Sequence, residues 1–208
     1  MKMMKTVLSL LLLTTAAFGQ YTAAPGDAPP SDLAPAIAGK LQKQGTKIMN
    51  GSKVFCQIWL VETAPHAAPS KEANVTLPMI PQGALLGAIQ FPARASDRRG
   101  NPVAPGVYTL RYSNFPENGD HQGVAPQRDF MLLSKAADDK DPAATPDFKT
   151  LVDWSEKAMG NPHPGVFSFW KQDSGTPGLA LQGDSDWVWQ TKLGDLSIAM
   201  IVVGKVAG

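Results

Sequence analysis

The chain reads as one mainly-β domain, a β-sandwich of immunoglobulin-like or jelly-roll-like build carrying two short helices. Three observations predict this. Short runs rich in Val, Ile, Phe, Tyr, Trp and Thr recur at fairly regular spacing. Gly, Pro, Asn and Asp, the residues that set turns, punctuate them. Strands and helices do not alternate, and no glycine-rich phosphate loop follows a strand, which disfavours a nucleotide-binding α/β fold.

The elements follow in chain order. Lys2 and Lys5 precede an apolar stretch over 6–17 dominated by Leu8 and Leu10 to Leu13, and Ala17 and Gly19 are small residues at the two positions a signal peptidase reads. A permanent span needs about 20 apolar residues. Residues 1–19 are therefore expected to be a cleaved export signal, with the mature chain starting at Gln20 and destined for the periplasm or the medium. No Cys follows the cleavage point, so no lipid anchor is expected there. Residues 20–30, rich in Ala, Pro and Gly, are expected to form a flexible lead-in. The domain itself is assigned to 31–208.

Ser31 is placed to cap a short helix with Leu33, Ile37 and Leu41 on one face, and Gly45 to end it. Asn50-Gly51 between β-prone runs predicts a hairpin joining 46–49 to 52–62. In its second arm Val54, Cys56, Ile58 and Leu60 alternate with Phe55, Gln57, Trp59 and Val61, so a strand covered on both faces is expected. A long connection over 63–81 leads to strands at 85–91, 106–112 and 129–134. The acidic, Pro-containing run 135–147 is a solvated loop in this reading. Thr145 or Asp147 caps a helix over 148–159 whose inner stripe is Leu151, Val152, Ser155 and Met159, and Gly160 stops it. Strands at 166–170, 179–182, 187–193 and 196–203 complete the domain, with turns at Gly183-Asp184 and Gly194-Asp195.

Composition narrows the function. Loss of residues 1–19 removes two lysines and no acid, taking the formal charge from +1 to −1 over the remaining 189 of 208 residues. A near-neutral chain lacks the basic face that neutralises phosphates, so nucleic acid is not an expected partner. Docking on an anionic membrane is disfavoured on the same ground, and no later stretch is long enough to span a bilayer. The single cysteine, Cys56, excludes an intrachain disulfide, and its setting among apolar residues predicts a buried, inert thiol.

The run from Asp97 to Leu110, with its polar turn, Pro105-Gly106 and Tyr108-centred strand, resembles a hairpin motif common in immunoglobulin-like modules of secreted bacterial proteins. Tyr108, Leu110 and Tyr112 share one face of that strand. A larger part of the chain resembles a family of uncharacterised exported bacterial β-sandwich proteins. It does so through the strand over 106–112, Gly119-Asp120-His121-Gln122-Gly123, Arg128-Asp129-Phe130 and His163-Pro164-Gly165-Val166. The resemblance implies export and a β-rich fold, and no established activity.

Candidate chemistry gathers in few places. Asp120 and His121 sit in a loop that Gly119 and Gly123 allow to curl, and Asp129 and His163 could complete a two-His, carboxylate set for a divalent metal such as zinc or non-haem iron. That requires His121 and His163 to converge, since both must bond one ion at ~2.1 Å. The plainer reading is a turn whose Asp and His satisfy backbone groups. His121, oriented by Asp120 or Asp129, could also act as a general base, but Ser113, Ser134, Ser155 and Ser168 lie in no nucleophile-elbow motif. The run from Asp138 to Asp141 lacks the EF-hand pattern for calcium. His66 has no partner nearby in sequence, and Asn74-Val75-Thr76 is an incidental sequon in the bacterial secretory context that the resemblance implies. Trp187 and Trp189 share a strand face and would make a glycan platform if that face were open, or core if it were not. The leading expectation is an exported, non-catalytic binding module for a small molecule, glycan or protein. A metal-dependent site or enzyme around Asp120, His121, Asp129 and His163 is the alternative, and a structural envelope protein a third. Production in a secreting host is expected to give a protein beginning at Gln20; an intact mass that still includes residues 1–19 would overturn the export reading.

Overall fold

A computed structural model of the chain describes residues 21–116 and 127–205. Its elements are β1 (Tyr21–Pro25), α1 (Pro35–Ala38), β2 (Thr46–Asn50), β3 (Lys53–Leu60), β4 (Leu85–Phe91), β5 (Ala95–Ser96), β6 (Pro102–Val103), β7 (Gly106–Asn114), β8 (Asp129–Lys135), α2 (Phe148–Met159), β9 (Val166–Lys171), β10 (Gly178–Gln182), β11 (Asp186–Leu193) and β12 (Leu196–Val203). The mainly-β class holds. The strand order does not divide into two sheets, however. Ten strands form one antiparallel sheet in the order β1-β2-β3-β4-β7-β8-β9-β12-β11-β10, while β5 and β6 pair separately. The sheet curls until it is nearly closed into a barrel. Strand β9 is the reason no break occurs: it pairs with β8 on one side and β12 on the other.

Register fixes what fills the interior. Side chains directly opposite one another share a face, so the rows Ile58–Ile89–Tyr108, Leu110–Leu133 and Tyr112–Met131–Phe167 all point the same way. Phe169, Met200 and Trp189 continue the set on the far strands. These residues are all buried in one core cluster. Their rings meet edge to face, as in Tyr112–Phe169 with centroids 5.8 Å apart and Phe91–Tyr108 at 6.2 Å. The alternate residues of β8, Phe130 and Leu132, face outward beneath α2.

Several local expectations need correcting. The stretch 20–30 is not a slack lead-in: β1 pairs with β2 from Tyr21↔Asn50 to Pro25↔Thr46. Just beyond it the Asp27 carbonyl accepts from Trp59 Nε1 at 2.8 Å, tying this stretch across β3. Ser31 does not cap α1, which is one turn long and starts after Ala34 without a side-chain cap. Leu33, Ile37 and Leu41 are nonetheless all buried. Gly45 ends no helix. A Cβ there would lie 2.6 Å from the Trp59 indole nitrogen and 2.8 Å from the Ile58 carbonyl, so close backbone approach excludes a side chain. The hairpin turn falls one residue later than Asn50-Gly51, because Asn50 pairs with Lys53 and only Gly51 takes positive φ, at 59°.

The acidic loop after β8 is also not simply solvated. Arg111, wholly buried on the outer face of β7, pairs with Asp139 through Nε–Oδ2 at 2.6 Å and Nη2–Oδ1 at 2.7 Å. Its remaining donors reach the carbonyls of Gly83, Ala144 and Asp141 at 2.6 to 2.8 Å. Thr109 Oγ1 donates to the same Asp139 oxygen at 2.6 Å. Removing one partner of a buried pair leaves an uncompensated charge, at a cost of about 3–5 kcal/mol. Arg111→Ala is accordingly expected to lower unfolding free energy by about that amount in urea titration. Arg111→Lys should restore only part of it, because three donors replace five; equal stability of Arg111→Ala and the parent would refute the clamp.

All three tyrosines have raised pKa values, each chiefly because burial disfavours the phenolate. At Tyr112 the neighbouring Asp129 charge adds to the effect. Phenols held protonated by folding stabilise the native state fully below their unfolded pKa of about 10, and that contribution is lost as pH climbs toward the folded values. Titration at 295 nm should therefore show each tyrosine less than half ionised in the native protein at pH 10, with stability falling as pH rises further. Half-ionisation of any of the three at pH 10 would contradict the burial argument.

Candidate functional site

Helix α2 begins where the sequence places it. Asp147 accepts from the Thr150 amide at 2.8 Å, and that backbone hydrogen bond lowers the carboxyl pKa. At the far end Gly160 adopts φ 68° and returns its N–H to the Glu156 carbonyl at 2.8 Å. The helix lays Leu151 against Phe115, Phe130, Leu132 and Val166 on the outer face of the sheet. Ser155 ties down the next connection, its Oγ accepting from Gly165 N at 3.0 Å while Gly165 O accepts from Leu133 N at 3.1 Å.

Between helix and sheet lies a cavity of about 170 Å³. Phe130, Leu132, Val152 and Val166 give it apolar walls, and Phe115 stacks on Phe130 with ring centroids 4.2 Å apart. Three polar side chains also line it: Arg99, Glu156 and His163. Arg99 arrives from the β5–β6 turn, where buried Asp97 accepts from the backbone amides of Arg99 and Asn101 at 3.0 and 2.9 Å. Its Nη2 donates to Pro164 O at 2.6 Å and stands 3.6 Å from Asp97, whereas its buried Nε has no hydrogen-bond acceptor among the described residues. Among the described residues Glu156 has no ion pair and no side-chain hydrogen bond. His163 is exposed at the mouth. Phe148, 38 % exposed at the start of α2, separates this cavity from a wider hollow of about 660 Å³ bordered by Glu72, Gln82 and Arg128. There Arg128 is engaged by Glu72 at 2.9 Å and by the Phe115 carbonyl at 2.7 Å.

Those residues singled out from sequence that the structure describes are dispersed. Asp120 and His121 lie outside the described residues. Asp129 is wholly buried and shares the inward face of β8 with Met131, accepting from Thr76 N at 2.7 Å, Thr76 Oγ1 at 2.9 Å, Leu77 N at 3.3 Å and Tyr112 Oη at 2.8 Å. It thereby fastens the long 63–81 connection to the end of the barrel. His163 borders the cavity on the outer face, so the sheet separates it from Asp129. Among the described residues no group of three or more His, Cys, Asp or Glu is placed to hold a metal ion. Trp189 is buried in the core, and Trp187 packs on Tyr21 with centroids 5.5 Å apart. They make no open platform because their shared face turns inward. Cys56 is buried, and desolvation raises its thiol pKa well beyond the usual range. Asp138 pairs with Lys157 at 3.0 Å and Asp139 with Arg111, so this acidic run is engaged in internal pairs.

No family model, curated protein or solved structure matches the chain. Among the described residues no helix is long and apolar enough to cross a membrane. Sequence reasoning overlooked Arg99, Glu156, Phe115 and Phe130. The only local signal was the outward apolar alternation of β8 beside an amphipathic helix, and nothing linked residue 99 to residues 156 and 163.

Proposed function

We propose that the chain is an exported, non-catalytic binding module that takes a small molecule in the cavity between α2 and β8. The observation that carries this reading is the convergence of Arg99, Glu156 and His163 on a space otherwise walled by aromatic and branched side chains. Small-molecule sites combine such apolar walls with a few polar groups that fix orientation. The barrel interior is a poorer candidate, because interdigitating aromatic rings occupy it. Export rests on residues 1–19 and their resemblance to a secretory signal.

An enzymatic reading has less support. No serine or cysteine lines the cavity beside His163, so a nucleophile within reach of that imidazole is missing among the described residues. A shared metal on Asp129 and His163 would have to pass through the sheet. A purely structural role gives no reason for Arg99, Glu156 and His163 to line one otherwise apolar space.

Amide-resolved NMR of the mature protein with a library of small fragments tests the reading. Bound fragments should perturb Phe130, Leu132, Val152 and Val166 together, and Val152→Trp, which fills the space, should abolish the perturbation while far-ultraviolet circular dichroism is unchanged. Fragments that perturb other regions only, or that bind Val152→Trp equally well, would overturn it.

A further inference from the structure

The ligand class follows from the charges around the cavity, and this step rests on the binding reading above. We infer that the cavity receives a free hydrophobic α-amino acid, with its side chain against the apolar walls, its carboxylate toward Arg99 and its ammonium toward Glu156. At about 170 Å³ the space is well below the roughly 300–1,000 Å³ typical of drug-sized sites, which restricts the ligand to a small molecule.

Charge balance then selects among small molecules. Arg99 is a permanent cation lining the cavity, held in place by Pro164 O at 2.6 Å and by the Asp97 carboxylate at 3.6 Å. A simple carboxylate would satisfy it. Such an anion would, however, face the half-buried Glu156 carboxylate, which lines the same cavity, makes no ion pair among the described residues and interacts only through space with the exposed Lys149. A simple amine would answer Glu156 and face Arg99. Burying a charge without a partner is costly, and like charges brought together cost more. A zwitterion is the class that leaves neither side chain opposed. His163, at the mouth, adds a second donor for the carboxylate. The stacked Phe115 and Phe130 rings with Leu132, Val152 and Val166 favour a branched or aromatic side chain over a small polar one.

The structure also keeps the two charges apart in sequence and in support. Arg99 is set by the Asp97 turn and Glu156 by α2, so neither depends on the other for its position. Because the Glu156 side chain borders the cavity without bonding to any other described residue, its substitution alters the site and leaves the fold's hydrogen bonds in place.

Calorimetric titration with L-leucine and L-phenylalanine, set against 4-methylpentanoate, 3-methylbutylamine and glycine, tests the inference. Leucine should bind at least tenfold more tightly than each of the three controls. Glu156→Gln should weaken leucine and tighten 4-methylpentanoate, so that the two bind about equally, and Val152→Trp should remove binding of all. If 4-methylpentanoate binds as tightly as leucine, or if Glu156→Gln leaves leucine binding intact, the amino-acid class is overturned and the cavity reading stands. The amino-acid class is likewise overturned if fragments bind the cavity but no amino acid does. If neither fragments nor amino acids bind there, the cavity reading itself falls.

Discussion

A guanidinium buried to zero exposure must find an acceptor for every N–H, and Arg111 does. Its five donors go to both oxygens of Asp139 and to the carbonyls of Gly83, Ala144 and Asp141. That single side chain draws the connection after β8 across the outer face of β7 and holds the approach to β4 beside it. Thr109 shares the Asp139 carboxylate, so two successive outward positions of one strand are committed to the same cover. A central strand of a nearly closed sheet thus has an aromatic interior on one side and an ionic, fully hydrogen-bonded seal on the other. Such a seal gives directional acceptors to close a loop in one place, which apolar packing alone does not.

The inner face obeys a different constraint. Ten strands curl far enough that Tyr21 of β1 meets Trp187 of β11 across the seam, and Tyr21 also packs edge-on against Phe55 at 5.6 Å. From there Phe91, Tyr108 and Phe167 carry ring contacts through the interior. A chain without a disulfide relies on such burial and on unbroken ladders for its stability. At one end, Asp129 replaces apolar packing with four hydrogen bonds and anchors the long loop through Thr76 and Leu77. A second carboxylate, Asp186, holds Arg98 bidentately at 2.9 Å and joins the β5–β6 hairpin to β11. Each polar contact of this kind fixes a connection that carries too few apolar residues to pack by itself.

Function, in this reading, sits where packing is least complete. Aromatic rings fill the barrel interior, and on the outer face the loop after β8 covers β7 through Arg111. Beside α2 the layer of helix on sheet leaves a space, and the polar groups reaching it come from the β5–β6 turn, from α2 itself and from the connection after α2. Strand and helix supply the walls and the Glu156 carboxylate, while loops bring Arg99 and His163, the kind of loop placement on a rigid scaffold that binding groups often show.

Much of this was legible in the sequence. Periodicity located α2 at 148–159 and nine of the strands, because side-chain alternation and turn residues act locally. Gly160, Gly183 and Gly194 marked turns that require positive φ. The inward set of Tyr108, Leu110 and Tyr112 followed from a period of two. What the sequence did not determine depended on partners far along the chain. Residues 21–25 look slack until β2 supplies their ladder, Asp139 looks solvated until Arg111 covers it, and Trp187 and Trp189 fit either a platform or core until the sheet curls around them. Whether short strands form two sheets or one turns on β9 bridging β8 and β12, a pairing that no local pattern encodes. The cavity is the extreme case, since residues 99, 130, 156 and 163 meet only after the whole sheet has closed.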